Sequence, residues 1–234
     1  HDFPTGLYAS WKKYKMHSPS IAFFDVDHTL TRRSTGTHFA LEAVRQGVIS
    51  PWRLAALPFL YIGYRLGPRQ RDSSTASYSS LPAFAGLDES WVRQAAQDAV
   101  HNRILPDLRP TALSMIQEAK QSGALVILAT STFDFIAEPL ARELGIGMVI
   151  ASPVEFAGGK TTGRVPGGLV LGPRKLQLCK DAADERGVAL SSCSFYSDSV
   201  HDLPLLLAVG KPVAVHPDLR LRRHARLYSW LIVG

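Results

Sequence analysis

The chain has 234 residues, 46% of them hydrophobic, enough to bury one sizeable core and of a length that fits an α/β domain carrying an inserted module. Its net charge of +6 raises a nucleic-acid or anionic-surface partner, but the basic residues are scattered through Lys12-Lys13, Arg32-Arg33 and positions 65–71 and 220–226 without any nucleic-acid motif, so no nucleic acid is expected and the charge reads as solubility and attraction of anionic substrates. Two cysteines, Cys179 and Cys193, argue against a disulfide framework and for a reducing, cytoplasmic compartment, and no stretch approaches the roughly 20 apolar residues of a membrane span.

The first 15 residues lack the pattern of a secretory signal and read as an N-terminal extension or a remnant ahead of Met16. Ile21-Ala22-Phe23-Phe24 is an apolar run suited to a strand covered on both faces, and it runs out into Asp25-Val26-Asp27-His28-Thr29-Leu30. Carboxylates at the carboxyl end of a buried strand project into the crevice where open α/β sheets bind ligands. Asp25 and Asp27, two residues apart, can flank one point, so one can attack a phosphorus centre while the other gives and later takes a proton. Crowding two acids and a phosphate together requires a cation, and a hard, oxygen-liganded ion such as Mg²⁺ suits that task. The competing interpretation of this stretch alone is a capped turn, with Asp25, Asp27 and Thr29 bonding backbone N–H groups.

A helical pattern begins at 37–47, with Phe39, Ala40, Ala43 and Val44 on one side. Residues 52–66 and 90–103 read as further helices, joined through the polar stretch 69–80. Within the first of these, 54–64 is charge-free and aromatic, which suits a core helix kinked at Pro58 or an interfacial helix touching lipid. Pro110 opens a helix to about Gln121 with Leu113, Ile116 and Ala119 inward, stopped by Gly123. The second strand, 125–129, runs into the hydroxyls of Thr130-Ser131-Thr132, suited to phosphate oxygens. A helix at 133–144, a short strand at 148–151 and a glycine-punctuated β excursion over 154–170 follow. Lys175 starts a helix running to 186, a position from which an ammonium neutralises a transferring group. A strand at 193–197 ends in Asp198-Ser199-Val200-His201-Asp202, then come a helix at 202–209 and a strand at 212–215. Alternating β and α elements predict a parallel sheet with helices on both faces.

The order D-x-D-x-T, then an apolar run ending in Thr, then a lone Lys, then S-D-S-x-x-D resembles the haloacid dehalogenase superfamily, in its phosphoserine-phosphatase-like branch, subfamily IB. The resemblance covers roughly residue 20 to the C-terminus. It implies a Rossmann-like, doubly wound parallel core over 17–36 and 106–234, with a mainly helical cap of the C1 type inserted at 37–105. It implies Asp25 as the nucleophile, Asp27 as general acid and base, Thr130, Ser131 and Lys175 on the phosphate, and Mg²⁺ held by Asp25, the Asp27 carbonyl and Asp198. Thr29 and Asp202 would be supporting residues. Many relatives carry glycine where this chain has His28, which reads as an exposed turn histidine. Phosphoserine phosphatases have an acidic anchor for the substrate ammonium where this chain has Arg32 and Arg33, which points to a phosphomonoester other than free phosphoserine, small or lipid-linked, with a second negative group. The expectation is therefore a Mg²⁺-dependent phosphomonoesterase, without a transmembrane segment but with peripheral membrane contact open to it. The alternatives are a phosphotransferase of the same fold and a non-catalytic phosphate-binding module.

Overall fold

The computed structural model describes residues 21–47, 79–80 and 84–234. The expected helix at 52–66, with its apolar stretch, and the N-terminal extension lie outside those residues, as does most of the polar stretch 69–80.

A six-stranded parallel sheet forms the centre, in the order β10 (Leu231–Val233), β9 (Lys211–Val215), β8 (Ser194–Ser197), β1 (Ile21–Phe24), β3 (Leu125–Phe133) and β4 (Met148–Ser152). Strand β1 (Ile21–Phe24) lies in the middle, between β3 (Leu125–Phe133) and β8 (Ser194–Ser197), and all four of its residues are buried. This is why its sequence is a continuous apolar run rather than an alternating one: both faces of a central parallel strand are covered by helices. Phe24 stacks on Tyr196 of β8 at 4.1 Å on one face, within the larger hydrophobic cluster, while Phe23 and Phe195 enter the second cluster on the opposite face.

After β1 comes helix α1 (Thr35–Arg45), two residues earlier than its periodicity predicts, because Thr35 is drawn into the helix start by side-chain bonds described below. A two-residue strand, β2 (Ser79–Ser80), precedes helix α2 (Glu89–Ala99). Asp88 caps α2 by accepting from the Trp91 N–H. The helix then widens into a π-helical stretch, Val100–Ile104, and one more turn, Leu105–Asp107.

Helix α3 (Pro110–Gln121) has the predicted bounds, with Gly123 following at φ +79°. Its inward face holds Ile116 and Ala119 as predicted, joined by Ala112 and Met115, while Leu113 is 38% exposed instead of inward. Strand β3 runs on through Thr130, Ser131 and Thr132, longer than expected because a register shift between Ala129 and Phe133 bends its end while it stays paired to β4 (Met148–Ser152). Between them lies α4 (Asp134–Glu143). The 154–170 excursion holds the short strands β5 (Phe156–Ala157), β6 (Lys160–Thr161) and β7 (Arg164–Val165), of which β5 and β6 pair with each other and β7 pairs with β2. Helix α5 (Pro173–Asp184), strand β8, helix α6 (Leu203–Ala208), strand β9 (Lys211–Val215), helix α7 (Leu219–Leu227) and strand β10 (Leu231–Val233) complete the chain. The last two were not anticipated: α7 buries only Leu221 and Ala225, and its arginine-rich sequence hides that thin stripe.

Cys179 and Cys193 are both buried free thiols. No helix among the described residues is long and apolar enough to cross a membrane.

Helices α1 and α2 pack with α4 around Phe39, Val92, Ala95, Phe135 and Ile136, members of the same cluster as strand residues Phe24 and Leu128. A fully buried carboxylate, Glu42, ties α1 to the π-helical stretch. It accepts from Arg45 Nε at 2.7 Å, Gln46 Nε2 at 3.3 Å and Arg103 Nε at 3.0 Å. The Arg45 bond, with Arg103 and Gln46, outweighs desolvation and holds the Glu42 carboxyl down at about 2. The stabilisation is present above the ordinary glutamate value and is lost as pH falls towards 2. Glu42→Gln should flatten the acid arm of the stability curve below pH 4.5, and Glu42→Ala should cost about 1–2 kcal/mol, because the lost carboxylate bonds are buried at Glu42 while Arg45 and Arg103 still reach solvent. Chemical denaturation as a function of pH measures both.

Candidate active site

Three segments at the carboxyl end of the sheet meet around one buried ammonium. Lys175, in the first turn of α5, is 1% exposed; its Nζ donates to Asp25 Oδ1 at 2.9 Å and to Asp202 Oδ2 at 2.8 Å. Asp25 directly follows the last residue of β1, and Asp202 lies in a 3₁₀ turn (Val200–Asp202) just beyond β8. Ser197 Oγ, the last residue of β8, donates to the same Asp202 oxygen at 2.7 Å. Pro173 at the first position of α5 and Gly172 at φ +54° turn the chain so that Lys175 faces into the sheet edge.

The same end of β8 supplies Asp198, directly after Ser197. Its Oδ1 accepts from Thr29 Oγ1 at 3.1 Å while its own N–H donates back to Thr29 Oγ1 at 2.9 Å, so a single threonine fixes both backbone and side chain of the acid. Asp218, which caps α7, accepts from the Val200 N–H at 2.9 Å and donates its own N–H to the Asp198 carbonyl at 2.8 Å, bracing this loop from behind.

Charge in this cluster is unbalanced. Asp25, Asp198 and Asp202 bring three carboxylates, and among the described residues the cation paired within the cluster is Lys175, which touches Asp25 and Asp202 but not Asp198. Burial pushes the Asp25 carboxyl upward, Lys175 pulls it back, and Asp202 and Asp198 push it up again. Burial likewise raises Asp198, to about 6, against the Thr29 hydrogen bond and the nearby His28. Desolvation disfavours the Lys175 ammonium, but Asp202 and Asp25 together outweigh it and hold its pKa above the ordinary lysine value. Asp202 Oδ1 is buried without a hydrogen-bond partner. A divalent cation would bring three carboxylates and one ammonium to neutrality, and the donors on offer, carboxylate and carbonyl oxygens, are those that Mg²⁺ prefers. Among the described residues no group of three His, Cys, Asp or Glu side chains is placed to hold a metal ion.

Asp27 is held in a different way. Its Oδ1 accepts from the Thr35 N–H at 2.8 Å and from Thr35 Oγ1 at 2.7 Å, and its Oδ2 from Ser34 Oγ at 3.2 Å. Ser34 occupies the N-cap position of α1 yet makes no cap bond of its own; Asp27 takes that part from outside the helix. Thr35 Oγ1 in turn meets Thr132 Oγ1 at 3.0 Å, and Thr130 Oγ1 donates to Thr132 Oγ1 at 3.0 Å. Thr130 is buried. Ser131 is half-buried, its carbonyl accepts from Ser152 Oγ at 2.8 Å, and its hydroxyl has no partner among the described residues.

The arginines expected to read the substrate are both exposed. Arg32 turns its guanidinium toward the carbonyls of Leu108 and Asp107, at 3.4 and 3.5 Å, and the Arg33 N–H donates to Asp107 Oδ2 at 2.8 Å, leaving the Arg33 guanidinium without a partner among the described residues. His28 is exposed, as predicted, and sits at φ +62° with Nδ1 3.2 Å from the Arg32 carbonyl. That left-handed backbone, which glycine enters without penalty, is a physical reason for glycine at this place in the motif.

The site thus gathers Asp25, Asp27, Thr29, Thr130, Lys175, Asp198 and Asp202 from β1, β3, α5 and β8. Sequence reasoning left out Ser34, Thr35, Ser197 and Asp218. Only Ser197 carried a signal, as the first serine of S-D-S; the others act through contacts that no local pattern encodes.

The profile of the haloacid dehalogenase-like hydrolases matches residues 22–207. A phosphoserine phosphatase of Mycobacterium tuberculosis is 29% identical over 91% of this chain and 70% of its own length. A histidinol-phosphatase of Neisseria meningitidis is 27% identical over 92% of this chain and 98% of its own. A solved structure of a protein of unknown function from Bordetella pertussis Tohama I superposes with a TM-score of 0.78 at 28% identity, over 92% of this chain and 97% of that one.

Lys175→Met should abolish activity and cost about 3–5 kcal/mol, because it strands two buried carboxylates. His28→Gly, by contrast, should shift stability by no more than about 1 kcal/mol, since relief of left-handed strain and the added freedom of the unfolded chain oppose each other; urea denaturation of both variants checks the contrast. With its sheet, its charged strand ends and the match over 22–207 in agreement, the chain belongs to the haloacid dehalogenase-like hydrolases.

Proposed function

We propose that this enzyme hydrolyses phosphomonoesters through a covalent intermediate on Asp25. The observation that carries the reading is the Asp25–Lys175–Asp202 arrangement: a carboxylate at the end of the central strand, one oxygen engaged by an ammonium and the other without a hydrogen-bond partner among the described residues. An oxygen of Asp25 attacks the phosphorus and the ester P–O bond breaks. Asp27 delivers its proton to the departing alkoxide, leaving an acyl phosphate on Asp25. Asp27 then takes a proton from water as that water attacks the acyl phosphate, releasing inorganic phosphate and restoring Asp25.

Thr130, Ser131 and Lys175 bind the non-bridging oxygens, Lys175 with an ammonium whose charge its two aspartates already partly neutralise. Asp25, Asp198 and the Asp27 carbonyl would hold Mg²⁺, which when bound shields the incoming phosphate from the carboxylates. Thr29 fixes Asp198, and Asp202 with Ser197 fixes Lys175. Segment 37–105 acts as the cap over this site. The names of the two relatives, phosphoserine phosphatase and histidinol-phosphatase, support a small phosphomonoester as the substrate class. A second negative group on that substrate has Arg33 available to it, since Arg32 is engaged by backbone carbonyls.

Purified protein with Mg²⁺ should hydrolyse p-nitrophenyl phosphate and lose that activity in excess EDTA. Asp25→Asn should remove turnover with the fold intact, and Asp27→Asn should slow it by about 10²–10⁴-fold. Beryllium fluoride trapped on any carboxylate other than Asp25, or on none, would overturn the mechanism.

A further inference from the structure

We infer that Thr35 and Thr132 are positioning residues of a one-directional hydroxyl relay that joins the proton-transfer carboxylate Asp27 to the phosphate-binding hydroxyl of Thr130, so that phosphate capture by Thr130 has to open the relay's first link. The inference rests on the reading of Asp27 and Thr130 given above and adds two residues and a coupling to it.

The direction follows from counting hydrogens. A threonine hydroxyl has one proton to donate, and Asp27 Oδ1, which already accepts the Thr35 N–H, remains an acceptor with the transferable proton of Asp27 carried on Oδ2. Thr35 Oγ1 lies 2.7 Å from Asp27 Oδ1, a separation that two lone pairs would not tolerate, so the Thr35 hydrogen points at Asp27. It is then not available to Thr132, 3.0 Å away, and in that contact Thr132 must be the donor. With its hydrogen committed to Thr35, Thr132 can only accept in its other contact, and the geometry of that contact independently makes Thr130 the donor, at 3.0 Å. The chain therefore reads Thr130 to Thr132 to Thr35 to Asp27, each hydroxyl giving one hydrogen forward. Thr130 Oγ1 also accepts from the Thr132 N–H at 3.1 Å. Its only hydrogen is spent.

Two consequences separate this arrangement from ordinary packing. First, Thr35, Thr130 and Thr132 are all buried, so no bulk water is at hand to replace a lost link. The Thr35 N–H and hydroxyl converge on the same oxygen of Asp27, so the first residue of α1 sets the carboxylate's orientation as well as its partners. Second, Thr130 has nothing to donate to a phosphate oxygen until it lets go of Thr132. The neighbouring Ser131, whose hydroxyl has no partner among the described residues, pays no such penalty. Binding at Thr130 is thus weaker than a free hydroxyl would give, by the strength of one hydrogen bond.

Removing the Thr132 hydroxyl should therefore tighten phosphate binding, a result opposite to that expected from damage. Thr132→Val should lower the dissociation constant for inorganic phosphate by about 3–10-fold, measured by equilibrium titration of the whole protein with Mg²⁺, because the Thr130 hydrogen is released. Thr132→Ser should keep the wild-type value, and Thr132→Ala serves in place of valine if that variant does not fold. Thr35→Val should leave phosphate affinity within about twofold while lowering kcat for p-nitrophenyl phosphate by about 10-fold or more, with Thr35→Ser restoring it. Unchanged or weaker phosphate binding in both Thr132→Val and Thr132→Ala would overturn the relay, as would a Thr35→Val variant losing kcat and phosphate affinity together. Absence of turnover in the wild-type protein would instead sink the phosphatase reading, while the phosphate titrations would still decide the relay.

Discussion

A single lysine ammonium, fully enclosed between Asp25 and Asp202, is the interaction on which the rest of the site depends. Burying an ammonium with carboxylates is not a cheap way to stabilise a fold, since the desolvation of three ions consumes much of their attraction. What it secures is position. Asp25 ends the central strand, Asp202 follows the neighbouring strand, and Lys175 starts the helix between β7 and β8, so no one of these elements can slip by a residue without exposing a buried charge. The apolar side of the same register is Phe24 stacked on Tyr196. The charged and aromatic contacts thus enforce the same alignment of β1 with β8 on either side of the strand ends.

The lysine does not neutralise what surrounds it. Asp198 stands beside the pair with only a threonine for support, and burial raises both its carboxyl and that of Asp25. A site short of positive charge in this way suits the proposed reading, in which a cation and an anionic ligand arrive together and each lowers the cost of the other. The orphaned oxygen of Asp202 belongs to the same imbalance.

The second acid of the motif answers to a different part of the molecule. Asp27 is bound to the start of α1 rather than to the Lys175 cluster, and α1 is joined by Glu42 to the π-helical stretch that leads back into the sheet. The Arg33 N–H and His38 Nε2 both meet Asp107 Oδ2, at 2.8 and 3.0 Å, so the chain leaving the sheet and the chain returning to it are fastened to each other beside this acid. Two carboxylates only two residues apart are in this way held by separate bodies of structure. The proposed nucleophile is fixed by the sheet, and the proposed proton carrier by the helices outside it.

How much of this the amino-acid order reveals depends on the range of the interaction. Ile21 to Phe24 had to be a covered strand because four consecutive apolar side chains leave no face for water, and Pro110 and Gly123 bracket a helix by local backbone chemistry. The recurrence of acid, hydroxyl, lysine and acid at successive strand and helix ends likewise placed Asp25, Asp27, Thr130, Lys175, Asp198 and Asp202 at one edge before any coordinates. The partner of each was another matter. That Thr35 rather than a residue of the motif holds Asp27, that Leu113 faces out while Met115 faces in, and that an arginine-rich segment is a helix anchored by Leu221 and Ala225 follow from how elements settle against one another. Like the hydrogen bonds of the site, which join residues as many as 169 positions apart, those outcomes depend on contacts that local periodicity does not contain and only the closed fold brings together.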